Sequence, residues 1–188
     1  MKFFGLLFLV FFSFILLSCE NTENSISTLD KSITNTSNLN SNQSIESLNI
    51  SKSINGTNGG SIIFDTTYIG NNGKTVTVSL NLTFDPNSFT GTKLITVTPN
   101  PTLGSVQFSP EMSFNKPAKL NLLYRGIDLM SLGFDSNCKV DFVYLNDNGN
   151  VEFLLKDEVK IKFNKLEIST KKALLPHFSR YSFVRKSL

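Results

Sequence analysis

The chain has 188 residues, with 18 Lys or Arg against 15 Asp or Glu, a formal charge of +3 and 40% hydrophobic residues. A balance this close to neutral, without basic and aromatic residues interleaved, excludes nucleic acid as a partner. One histidine and two cysteines leave few routes to a nucleophilic triad or a zinc site, so no cofactor and no metal are expected.

Met1-Lys2 supplies a short positive start, Phe3 to Leu17 is an almost unbroken apolar run, and the small residue Ser18 stands directly before Cys19. This is a secretory signal pattern. The run falls short of the roughly 20 apolar residues that an uncleaved membrane anchor needs, and the Ala-x-Ala-like site of a plain secretory peptide is absent. Leu16-Leu17-Ser18-Cys19 closely resembles the bacterial lipobox. The resemblance implies that residues 1–18 are cut away, that Cys19 becomes the first residue in thioether linkage to a diacylglycerol, and that its new amino group takes a third acyl chain such as palmitate. One chain binds a membrane marginally, whereas two or three make a lasting tether. Glu20 is not the aspartate that signals inner-membrane retention, so the expected location is the bacterial cell envelope, at the outer membrane. Losing Lys2 leaves 17 cations minus 15 anions, or +2, on the mature chain. With Cys19 alkylated, Cys138 has no disulfide partner, and stability must come from packing.

Residues 19–58 are dominated by Asn, Ser and Thr, without proline or aromatic residues. Such a stretch buries too little surface to offset its ordering entropy and is expected to be a disordered tether. Ile26, Leu29 and Ile33 are spaced as on a helix, but the residues between them favour turns. A flexible coil of about 40 residues spans about 35 Å.

Asn55-Gly56-Thr57-Asn58-Gly59-Gly60, a cluster of Gly and Asn, marks the entry to the folded domain, which is expected over residues 59–188. Eleven of the 17 phenylalanines lie after residue 60 and six in the signal, so the core belongs to this part. Ser61 to Ile69 reads as a strand. Beyond it Val76, Val78, Leu80, Leu82 and Phe84 alternate with Thr, Ser and Asn, the signature of a half-buried strand. Further short strands are predicted at 94–98, 105–108, 118–124, 139–145, 151–155, 159–163, 166–169 and 174–184, with no sustained helical period. The predicted fold is all-β, an antiparallel β-sandwich of short strands.

Asn146 to Asn150 has the oxygen-rich look of a calcium loop. It lacks the bidentate glutamate of one and reads instead as a hairpin turn between Val140-x-Phe142 and Val151-x-Phe153. Lys160 and Lys162 alternate with Val159, Ile161 and Phe163, as on a solvated sheet face or protected edge.

Phe108-Ser109-Pro110-Glu111-Met112-Ser113-Phe114-Asn115-Lys116-Pro117-Ala118-Lys119-Leu120 resembles the signature of the ZU-five domain, and His177-Phe178-Ser179 with Tyr181 resembles its closing strand. Asp85-Pro86-x-x-Phe89 lacks the Gly-Ala pair of that family's turn. The resemblance covers residues 59–188 and implies a β-sandwich used for protein contacts, without small-molecule chemistry. Some death-domain relatives of this family, and a nucleoporin with the same three residues, cut their own chain between Phe and Ser. That implies self-cleavage at Phe178-Ser179, with Ser179 as nucleophile and His177 as the base that takes its proton.

The function expected is that of a lipid-anchored envelope protein whose sandwich contacts proteins or cell-wall material, and not of an enzyme. The alternatives are the self-cleaving module and an extracellular glycan- or peptide-acting hydrolase. For the last, the carboxylates single out no pair.

Overall fold

A computed structural model of the protein describes residues 48–70, 72–146 and 150–186. The lipobox at Leu16-Leu17-Ser18-Cys19 and the tether up to residue 47 lie outside the described residues, as does the middle of the turn after Asn146.

The fold is all-β. Among the described residues nine strands form one antiparallel sheet: β1 (Ile50–Asn55), β2 (Gly60–Ile69), β3 (Thr75–Phe84), β4 (Thr92–Asn100), β5 (Ser105–Arg125), β6 (Val140–Leu145), β7 (Val151–Phe153), β8 (Glu158–Lys162) and β9 (Glu167–Arg185). Two of these strands, β5 and β9, pair with each other along most of their length and make the sheet double back on itself. The first part of β5 pairs with β4 and its last part with β3. The first part of β9 pairs with β8 and its last part with β6. One layer is therefore β2-β3-β5-β9-β8 and the other β1-β4-β5-β9-β6-β7, packed face to face as a sandwich.

The segments 105–108 and 118–124, expected as separate strands, are thus one strand, and the same holds for 166–169 and 174–184. Pro110 and Pro117 resemble strand ends in the sequence, yet they lie within β5, beside its register shifts between Gln107 and Met112 and between Ser113 and Ala118. A proline, which has no N–H to give, is tolerated where the ladder is already interrupted. In β9 the bend falls at Lys172, whose φ is 48°. Its N–H donates to the Asn121 side chain (3.0 Å) instead of continuing the ladder.

The alternation of β3 holds throughout: Val76, Val78, Leu80, Leu82 and Phe84 are all buried. They meet Leu120, Leu122 and Tyr124 of β5 across the layer and Phe108, Phe178, Tyr181 and Phe183 from the layer opposite. Each such side chain contributes about 1.5–3 kcal/mol relative to exposure. β6 and β7 form the expected hairpin, closed by the Asn150 N–H on the Asn146 side chain (2.8 Å).

The expected start of the domain at Gly59 requires correction. β1 pairs with β4 from Ile50↔Val97 to Asn55↔Thr92, so the folded part begins at least nine residues earlier. This edge strand carries only two apolar residues, of which Ile54 is buried at 3% exposure. Backbone pairing and the Ser51–Thr96 hydroxyl contact (2.7 Å) hold it, a ladder that Asn/Ser-rich sequence does not announce. Gly59 does have a structural reason. Its φ is 74°, and a Cβ there would stand 2.5 Å from the Phe84 carbonyl oxygen.

Candidate functional site

The residues predicted for self-processing lie on β9, where it crosses from one layer to the other. His177 sits opposite Ser113 and Phe178 opposite Met112. His177 and Ser179 open into one cleft of about 340 Å³, shared with Glu111, Ser113 and Tyr144. The spacing of two explains this, since alternate residues of a strand share a face.

The His177 ring stands edge-on to Tyr144 at 4.5 Å, and its carbonyl accepts the Tyr181 hydroxyl at 2.5 Å. Burial pushes the Tyr181 phenol above its ordinary pKa, so it remains a donor over the working range. Among the described residues no hydrogen bond joins His177 to Ser179. Phe178, between them, is 2% exposed. It stacks on Phe108 at 5.0 Å and meets the edge of Phe114 at 4.8 Å. The arrangement brings a base, two serine hydroxyls, a phenol and a carboxylate to one cleft without the hydrogen bond that would activate either serine. Nothing in the sequence marks Glu111, Ser113 and Tyr144 as companions of His177. Glu111 and Ser113 belong to the Phe108–Leu120 stretch, and only the β5–β9 register puts them there.

A second, larger cleft of about 480 Å³ lies on the outer face of the β2-β3-β5-β9-β8 layer. Asn81 stands directly opposite Asn121, and in the next row Asp65, Ser79, Leu123, Ser169 and Lys160 follow one another across five strands. Glu167 closes one side, its carboxylate bridging Lys162 at 2.5 Å and Arg125 at 2.9 Å. The Lys162 hydrogen bond holds its carboxyl below the ordinary range, with Arg125 adding to the effect. Lys160 and Lys171 both approach Glu158. Lys160 and Lys162 are therefore ion-paired on the exposed face of an edge strand. The face offers paired charges, amides and hydroxyls, suited to a polar ligand of little net charge. It shows no nucleophile held by a base.

Cys138 is a half-buried free thiol against the core. Among the described residues no three His, Cys, Asp or Glu side chains gather to hold a metal ion, and no helix is long and apolar enough to cross a membrane. No family model matches the chain, and comparison with curated proteins and with solved structures gives no match.

Proposed function

We propose that the protein is a bacterial lipoprotein of the outer membrane, held by acyl chains on Cys19, whose β-sandwich contacts proteins or cell-wall material. The observation that carries this reading is Leu16-Leu17-Ser18-Cys19 directly behind the Phe3 to Leu17 apolar run. The polar cleft around Asn81 and Asn121 supports a binding role, because its side chains present donors and acceptors and most of its charges are paired. The ZU-five resemblance is compatible with it: its two stretches are register partners on β5 and β9, Met112 against Phe178 and Ser113 against His177.

Cys19→Ser tests the anchor. The variant is expected to stay an unprocessed precursor that keeps residues 1–18 and takes up no labelled fatty acid. Mature, lipid-labelled Cys19→Ser protein would sink the assignment.

The shared cleft of His177, Ser179, Glu111 and Ser113 favours a second reading, self-cleavage between Phe178 and Ser179. The Ser179 hydroxyl attacks the Phe178 carbonyl, the peptide bond becomes an ester as nitrogen leaves, and water opens the ester, with His177 taking the serine proton. Cleavage leaves a C-terminal piece of 188 minus 178, or ten residues. Denaturing mass spectrometry decides: this reading predicts two pieces from wild type and one from Ser179→Ala, while an intact wild-type chain rejects it.

A further inference from the structure

One end of the sandwich gathers three loop tips, each carrying one large apolar side chain in solvent. β2 ends at Ile69, 57% exposed; the turn after β4 carries Leu103, 63% exposed; the loop after β5 carries Met130, 74% exposed. The Tyr124 hydroxyl on the Ser105 carbonyl (2.5 Å) ties the turn after β4 to the end of β5, and the pairings Ile69↔Thr75 and Thr77↔Arg125 bring the end of β2 to the same end. The neighbours of the three tips, among them Tyr68, Thr102 and Ser131, line a common cleft of about 240 Å³. Exposed apolar groups brought together from separate loops mark an interaction surface.

Two observations say what covers it. The first is where the chain arrives: Ile50 opposes Val97, near the C-terminal end of β4, so the residues preceding β1 join the domain at this same end. Since 28 residues separate Cys19 from Leu48, a lipid on Cys19 tethers the domain by this end. The second is charge. Arg185 is set against Asp135 at 2.8 Å and Lys186 against Asp141 at 3.9 Å, and the exposed Lys74 and Lys165 then outnumber Asp128. Such a surplus suits anionic lipid headgroups.

We propose that this end of the domain docks on a lipid surface, with Ile69, Leu103 and Met130 entering the headgroup region beside the basic side chains. Three separate tips, rather than one flat apolar patch, suit a fluid interface that closes around each. The proposal rests on the Cys19 anchor for the direction of the tether.

The chain contains no tryptophan, so a single introduced indole reports its own surroundings. Leu103→Trp, Met130→Trp and, as control, Leu94→Trp are prepared as full chains with their lipid, in vesicles of neutral and anionic phospholipid. Leu94 is 63% exposed, the same as Leu103, but lies near the other end of β4. Blue-shifted emission and quenching by brominated lipid are expected at positions 103 and 130 and not at 94. Unquenched emission at both tips overturns the proposal. A blue shift without lipid quenching assigns this end to a protein partner or a second copy and overturns it equally. The intact mass of the same samples reads the acyl chains independently: an unacylated Cys19 defeats the anchor, while quenching at the tips still decides the docking.

Discussion

Lys156→Ala is expected to destabilise the domain by about 3–5 kcal/mol, the cost of stranding a buried charge. Lys156 lies where the chain passes from β7 in one layer to β8 in the other. Its Nζ is 2.5 Å from Asp141 on β6, with the two side chains only 13% and 9% exposed. Removing the ammonium leaves the Asp141 carboxylate with the Phe142 N–H at 2.8 Å and Lys186 at 3.9 Å, too little to replace it. The loss belongs at the lower end of the range, because both of those groups remain. Urea denaturation measures it, and combining Lys156→Met with Asp141→Leu should recover most of the stability, since a well-packed apolar pair matches a buried ion pair. A loss under about 1 kcal/mol for Lys156→Ala would show that water reaches the carboxylate.

Phe178→Ala is expected to cost about 3–5 kcal/mol by emptying the centre of an aromatic cluster. The ring touches residues of both layers: it stacks on Phe108 at 5.0 Å and makes T-shaped contacts with Phe114 at 4.8 Å and Phe84 at 5.9 Å. Those neighbours are held by different strands and cannot all move in to fill the space. Phe178→Leu keeps much of the volume and should cost less than half as much. Equal midpoints for wild type and Phe178→Ala in the same denaturation series would contradict this packing.

Both variants probe features with unequal traces in the sequence. The β3 alternation is legible because one face is buried along its whole length, and a two-residue period survives only where every second side chain meets the core. β1 is hidden by the opposite circumstance: Ile54 alone is fully buried, and hydrogen bonds to β4, which any sequence can make, do the rest. The long strands β5 and β9 look broken because Pro110 and Pro117 in one, and the polar stretch Ser169 to Lys172 in the other, interrupt the apolar alternation, whereas here they mark bends inside strands. At the sites the division falls between local and non-local facts. That His177 and Ser179 share a face follows from their spacing. That Ser113 opposes His177, or that Asn81 opposes Asn121, depends on register between strands 40 or more residues apart, and no local pattern encodes it.

The direct test of the central claim is the intact mass of the wild-type protein extracted from bacterial membranes with detergent. A lipoprotein anchored as proposed gives a chain starting at Cys19, heavier than its amino acids by two or three acyl chains, and treatment that cleaves ester-linked lipid removes two of them. A chain that retains residues 1–18, or one that starts at another residue and carries no lipid, would contradict it.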